Sequence, residues 1–188
     1  MSLEELWELF PIILKNHNPD YTIWYREEKD NLVQALSAYD VCRISHIGST
    51  AVEGLISKPI VDILLEFPDN YRMLEIVETL KNNKWLVMAQ NEKKKTLDLN
   101  KGYTLKGFAE KVFHLHIKPE DDWGELYFRD YLQKYPDIAR QYELLKLELK
   151  TQYKHDRDAY TNAKSDFVLK YTEIAKKEFV GRYLPIKS

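Results

Sequence analysis

His46-Ile47-Gly48-Ser49-Thr50 leads, through Ala51 to Lys58, into Pro59-Ile60-Val61-Asp62-Ile63-Leu64-Leu65-Glu66-Phe67, and the reading of this stretch decides the fold. Val41 to Ile47 alternates β-forming with polar residues and stops at the Gly48-Ser49-Thr50 turn, so it reads as a strand. Pro59 to Phe67 is a nearly continuous apolar run, as expected of a strand buried on both faces. Asp62 stands in the middle of that run. A lone carboxylate there costs several kcal/mol unless it is paired or holds a metal. Two readings are open: a buried salt bridge with Lys58 or Arg43, or a ligand for Mg²⁺ or Mn²⁺ facing a cleft. Gly48-Ser49 likewise reads either as a plain strand-end turn or as a backbone cradle for a phosphate, which glycine lets approach closely.

Outward on the N-terminal side, Leu3, Leu6, Trp7, Phe10, Ile13 and Leu14 have helical spacing, interrupted by Pro11, and predict a short helix. Tyr21 to Leu36 predicts a second, amphipathic helix. On the C-terminal side, Tyr71 to Lys81 predicts a helix and Trp85 to Ala89 a strand, a βαβ-like step. Thr96 to Leu99 and Tyr103 to Leu105 flank Asn100-Lys101-Gly102 as a hairpin, and Val112 to Ile117 reads as a strand ending at Pro119. Beyond Trp123 the period is helical: Glu125 to Lys134, Asp137 to Tyr153 and Ala159 to Phe179, with breaks at Pro136 and around His155 to Asp158. The fold class is therefore α/β (α+β), a mixed β-sheet flanked by helices, with C-terminal helices.

No linker, repeat or low-complexity tract divides the 188 residues, which read as a single domain, 1–188. With 44% hydrophobic residues the chain is too apolar to be disordered. Lys and Arg (28) nearly balance Asp and Glu (30), so no global field attracts a long nucleic-acid duplex. No apolar run nears the roughly 20 residues that cross a bilayer, and the N-terminus is acidic where a secretory signal is basic. No membrane span and a cytoplasmic location are expected. The single Cys42, beside Val41 and Ile44, reads as a small buried hydrophobe in a reducing compartment.

Further candidates lie outside the opening stretch. His114 and His116 alternate on a strand, so both imidazoles share one face, where they can bind one metal ion. Two histidines without a nearby cysteine argue against a tetrahedral structural zinc site. Lys58 is within reach of a phosphate held at Gly48-Ser49, and Arg129 and Lys164 lie in tyrosine-rich helices; each also reads as a surface cation. Lys93-Lys94-Lys95 reads as a solvated turn.

The run from His46 to Ile63, His-Ile-Gly-Ser-Thr-Ala-Val-Glu-Gly-Leu-Ile-Ser-Lys-Pro-Ile-Val-Asp-Ile, resembles the GrpB family. Its signature looks like H-I-G-S-T-[AS]-V-P-G-L-x-[AS]-K-P-I-[IV]-D-I, and Glu53 departs from it where proline is usual. The resemblance continues through His114-Leu115-His116, Phe128-Arg129-Asp130-Tyr131-Leu132, Pro136-Asp137, Tyr142, Leu145-Lys146, Tyr160-Thr161-x-Ala163-Lys164 and Phe167-Val168. It implies a nucleotidyltransferase-like fold similar to the polymerase-β-type superfamily, in which a Gly-Ser turn precedes a strand bearing Asp-x-Asp. By that resemblance Gly48 and Ser49, flanked by His46 and Thr50, contact phosphate. Lys58, Arg129 and Lys164, read from the residues themselves, are further expected ligand-binding residues. Asp62 is the catalytic carboxylate and, with His114 or His116, holds Mg²⁺ or Mn²⁺. Some family members resemble fusions with dephospho-coenzyme A kinase, a nucleotide-metabolism context.

The second carboxylate of the superfamily pattern is missing, because Leu64 occupies its place; Glu66 shares Asp62's face but lies two pleats away. The expected function is binding of a nucleotide or phosphorylated small molecule, with metal-dependent nucleotidyl transfer to an unknown acceptor. The alternatives are a non-catalytic nucleotide-binding module and, third, a metal-dependent phosphoester hydrolase using the two histidines.

Overall fold

The computed structural model describes residues 9–153 and 156–185. Helix α1 (Asp20–Ala35) precedes strands β1 (Arg43–Ile47) and β2 (Val61–Phe67). Helix α2 (Met73–Asn82) then leads to β3 (Leu86–Asn91), β4 (Thr96–Thr104) and β5 (Gly107–Pro119). The chain ends in helices α3 (Gly124–Lys134), α4 (Pro136–Gln152), α5 (Arg157–Ala163) and α6 (Ser165–Glu178). The strands form one mixed sheet in the order β1-β2-β5-β4-β3; β2 and β5 run parallel and the other neighbouring pairs antiparallel. This is the helix-flanked mixed sheet that the sequence predicts.

Side-chain alternation assigns the two faces of the sheet. Val61, Ile63, Leu65 and Phe67 of β2 join Leu97, Leu99, Leu115 and Ile117 in the main core, under Tyr21 and Leu32 of α1 and Ile76 and Leu80 of α2. Burying each such aliphatic side chain contributes about 1.5–3 kcal/mol. The intervening residues Asp62, Leu64 and Glu66 face the other way. Leu64 is buried against Ile47 and Leu126 of α3. Glu66 is wholly buried and accepts two hydrogen bonds from Arg43, at 2.5 and 2.7 Å. Only Asp62, near the start of β2, stays open, with its side chain 27% exposed.

The C-terminal helices cover this second face through aromatic contacts. Tyr127 and Tyr131 of α3 pack with Tyr171 and Ala175 of α6. Val52 and Leu55, in the connection between β1 and β2, pack against Leu132, Ala139 and Tyr142 and so seat that loop on α3 and α4. The segment after α6 folds back: the Tyr183 hydroxyl donates to Asp130 and accepts from Arg129, while its carbonyl accepts from Arg43.

Several sequence expectations are corrected. The N-terminal stripe does not continue as a helix through residues 10–14, where Phe10 and Ile12 are the buried pair and Lys15 bridges to Ser57; Leu3, Leu6 and Trp7 lie outside the described residues. Pro11 explains the break, since it disfavours helical backbone at the residue before it. Asn100-Lys101-Gly102 is no hairpin turn. It lies inside β4, where Gly102 has φ 91° at a register shift and its Cα approaches the Lys111 backbone too closely for any side chain; the reversal comes after Thr104. The βαβ-like step from β2 to β3 passes over two strands, because β5 and β4 lie between them. The third C-terminal helix divides at Lys164 into α5 and α6, and His155 lies outside the described residues. Cys42 is exposed, just ahead of the edge strand β1. Arg43, one proposed partner of Asp62, is committed to Glu66.

Candidate functional site

Gly48 ends β1 with φ 72°, a left-handed conformation that glycine adopts at no steric cost. A Cβ at this position would collide with the Asp62 carboxylate, so the absence of a side chain lets turn and strand meet. The next residues form a single 3₁₀ turn, Ser49–Ala51. Thr50 is buried and its hydroxyl donates to the Ile60 carbonyl, so it accepts from His46 Nε2 at 3.0 Å, which places the His46 proton on that nitrogen. The His46 ring stacks on Tyr25 at 4.8 Å. Burial pushes its pKa down to about 4, against the attraction of Asp62, so the imidazole is neutral at physiological pH.

Strand register assembles the acidic part of the site. Asp62 of β2 is the neighbour of His114 on β5, and Asp98 of β4 is the neighbour of His116. Asp62 Oδ1 lies 3.3 Å from His114 Nδ1 and 3.7 Å from His116 Nε2. His116 Nδ1 is 2.7 Å from Asp98 Oδ1, and His114 Nε2 is 2.8 Å from the Tyr103 hydroxyl. Burial opposes ionisation of Asp62, but the hydrogen bonds and charges of the two histidines outweigh it and hold the carboxyl well below its usual range. Burial works against the His116 cation too, yet the carboxylates of Asp62 and Asp98 raise its pKa to about 9. Asp62, His114 and His116 place one potential ligand atom each within 4.8 Å of one another, a set able to hold a divalent cation.

The basic part comes from the helices. Lys146 of α4 is only 2% exposed, and its ammonium donates to Ser49 Oγ at 3.2 Å and to the Ile56 carbonyl. No carboxylate pairs with it in these contacts. Burial, and then the charges of Lys164 and Lys58, push its pKa down to about 7. Lys164 is lowered to about 8, by burial and against the pull of Asp62. Lys58 and Lys164 both lie over the Tyr160 ring, at 5.1 and 4.5 Å from its centroid. Lys146 thus stands against Ser49 with Lys58 and Lys164 close enough to lower its pKa, an arrangement that an anion would relieve.

The structure thus brings together Gly48, Ser49, Lys58, Asp62, His114, His116 and Lys164. His46 and Thr50 stand behind them and hold the turn. Arg129 donates to the His46 carbonyl at 2.9 Å, to Asp130 and to Tyr183, which fastens α3 to the end of β1. Sequence reasoning gave no role to Lys146, Tyr142, Asp98 or Tyr103. One signal was present: Ala139, Tyr142, Glu143, Lys146 and Leu149 are the buried residues of α4 at helical spacing, and a lysine on that stripe is out of place. A groove of about 850 Å³ runs along the Thr50–Leu55 loop past His17, Gln133 and Arg140 and is lined by neither Asp62 nor Lys146. Volume and convergent chemistry therefore point to different places, and the charged groups mark the candidate site.

A mixed sheet whose Gly-Ser turn abuts an aspartate on the next strand defines a nucleotidyltransferase-like fold. The structure of the GLD-2/RNP-8 complex aligns with TM-score 0.54 at 15% identity, over 100% of this chain and 74% of that one. Cid1 poly(U) polymerase, as an H336N mutant bound to MgATP, aligns with TM-score 0.51 at 13% identity, over 81% and 46%. The chain belongs to the GrpB family: residues 11–174 match the family described as GrpB protein. The structure of conserved protein GrpB from Enterococcus faecalis aligns with TM-score 0.75 at 26% identity, over 89% of this chain and 99% of that one. Glutamate-rich protein GrpB of Alkalihalophilus pseudofirmus is 31% identical over 165 residues, 84% of this chain and 91% of that protein. UPF0157 protein YqkA of Bacillus subtilis is 28% identical over 169 residues, and UPF0157 protein PA4798 of Pseudomonas aeruginosa 36% over 126. These matches take in 88% and 66% of this chain but only 48% and 52% of those proteins, so the chain spans about half the length of these two curated relatives.

Proposed function

We propose that this GrpB-family protein binds a nucleotide or another phosphorylated small molecule. Its phosphates would lie at Ser49 between Lys58, Lys146 and Lys164, and a divalent cation would lie at Asp62, His114 and His116. The observation that carries the reading is Lys146, a buried ammonium without a carboxylate partner among the described residues, beside Ser49 and near two further lysines. Burying an unpaired charge is costly, and a bound phosphate supplies the missing counter-charge. Gly48 and Ser49 shape the cradle, His46, Thr50 and Arg129 hold it, and Asp62 is the carboxylate nearest the reacting phosphate.

Nucleotidyl transfer to an acceptor needs stabilisation of both the attacking and the leaving oxygen. Leu64, packed against Leu126 where the superfamily pattern has a second carboxylate, favours binding with slow or absent pyrophosphate release over rapid turnover. No helix among the described residues is long and apolar enough to cross a membrane. We place the protein in a reducing, cytoplasmic setting, where the exposed thiol of Cys42 would stay reduced.

A thermal-shift series with nucleotides, with and without a divalent cation, tests the reading, since a ligand that binds only the folded state raises its apparent stability. Nucleotide is expected to raise Tm, and Lys146→Met to remove most of that rise while the cation response remains. Equal shifts in Lys146→Met and the wild type would refute the phosphate assignment.

A further inference from the structure

We propose that Asp62, His114 and His116 select a first-row transition cation such as Mn²⁺, Co²⁺ or Zn²⁺ over Mg²⁺, with Asp98 and Tyr103 as positioning residues that orient the two imidazoles. The inference rests on the cation half of the function proposed above. Each ring turns one nitrogen towards Asp62 Oδ1, His114 through Nδ1 at 3.3 Å and His116 through Nε2 at 3.7 Å. The opposite nitrogen of each ring is held from outside, His114 Nε2 by the Tyr103 hydroxyl at 2.8 Å and His116 Nδ1 by Asp98 at 2.7 Å. The Tyr103 ring also stacks on His114, with 19° between the planes. A histidine that ligates a metal characteristically donates its other N–H to a carboxylate or similar acceptor, which fixes the tautomer and the ring. Here both histidines have such a partner.

The spacing fits as well. Ligands about 2.0–2.1 Å from a tetrahedral ion lie roughly 3.4 Å from each other, and the two Asp62–histidine separations bracket that value. The donor set is two nitrogens and one oxygen. Mg²⁺ demands oxygen ligands and sheds water reluctantly, whereas imidazole suits later transition ions such as Zn²⁺, with Mn²⁺ the weakest binder of the first-row series. The carboxylate that would add an oxygen is absent at Leu64, and Glu66, further along the same face, is bound by Arg43. The all-oxygen Mg²⁺ site of a paired-carboxylate strand therefore does not fit these residues. With three protein ligands, the bound ion keeps open positions for a phosphate oxygen.

Calorimetric titration of the full chain with Mn²⁺, Co²⁺, Zn²⁺ and Mg²⁺, without nucleotide, tests this, and the visible spectrum of bound Co²⁺ reports the ligand field directly. One equivalent of Mn²⁺, Co²⁺ or Zn²⁺ is expected to bind, with no binding of Mg²⁺ at concentrations that saturate the site with Mn²⁺. Asp98→Asn and Tyr103→Phe are expected to weaken binding by roughly 10–100-fold and shift the Co²⁺ spectrum, with the metal-free circular dichroism unchanged. If Tyr103→Phe fails to fold, Asp98→Asn decides alone. Mg²⁺ binding as tightly as Mn²⁺, or unaltered affinity in the folded positioning variants, would overturn this proposal and leave the cation reading standing. No binding of any cation, or undiminished binding by Asp62→Asn, overturns both.

Discussion

Single residues carry the sharpest tests. Gly48 and Gly54 both have positive φ, 72° and 78°, but a Cβ on Gly48 would strike Asp62 while one on Gly54 meets open space. Gly54→Ala is expected to cost about 1–2 kcal/mol for backbone conformation alone, and Gly48→Ala several kcal/mol more, with loss of the cation response. Urea unfolding of the pair measures the difference, and equal destabilisation would mean that Asp62 yields freely. Lys146 gives a pH signature. Its folded pKa of about 7 lies below the ordinary 10.5, so between these values the unfolded chain binds more protons and stability rises with pH. The cost is fully present below pH 7, and is at most about 5 kcal/mol. His116, raised to about 9 from 6.5, acts oppositely: its stabilisation is complete below about pH 6.5 and is lost as the pH rises through 9. Lys164, lowered to about 8, adds a slope of the same sign as Lys146, so the wild-type profile mixes at least three, and the difference from Lys146→Met isolates the Lys146 part. That difference is expected to favour the variant at pH 7 and to shrink towards pH 10, less the roughly 1–2 kcal/mol lost with two hydrogen bonds. A difference that stays flat over this range would exclude a depressed Lys146.

At the scale of elements, β2 shows what a sequence can and cannot disclose. Its apolar run and the period of α1 and α2 are properties of one segment, so the strand and both helices are legible at nearly their observed bounds. Asp62 stands out for the same reason. What escapes is whatever another segment supplies. Lys146 matters because α4 packs on the loop before β2, and Asp98 because β4 pairs with β5. Asn100-Lys101-Gly102 carries a turn's composition, but Gly102 serves a bulge opposite Lys111; no proline or glycine marks the break at Lys164. Leu64 belongs here too. Read along the strand, it is a missing carboxylate; in the layer, it is a contact with α3. Leu64→Asp is accordingly expected to destabilise the protein by about 3–5 kcal/mol in chemical denaturation, without creating pyrophosphate release. A folded, active Leu64→Asp protein would show that α3 yields to make a second acidic ligand.

Across the whole molecule, the two halves of the site arrive by different routes. Asp62, His114 and His116 come from adjacent strands of the sheet, whereas Lys146 and Lys164 come from the C-terminal helices. Tyr183 ties those helices back to Arg43 at the start of β1. A ligand that touches cation and ammonium groups together is a cross-brace between two layers, and its binding energy opposes their separation. Saturating nucleotide with Mn²⁺ is expected to slow limited proteolysis of the helical segment beyond Gly124 more than cleavage in the exposed β3–β4 turn. Equal protection, or none, would mean that the ligand rests on one layer only. The division also has a consequence for how such a site ages in evolution. Each layer can drift in its own packing as long as the gap between them is kept, so the basic side can be retuned from the helices, lysine by lysine, while the sheet keeps its carboxylate and two imidazoles in register.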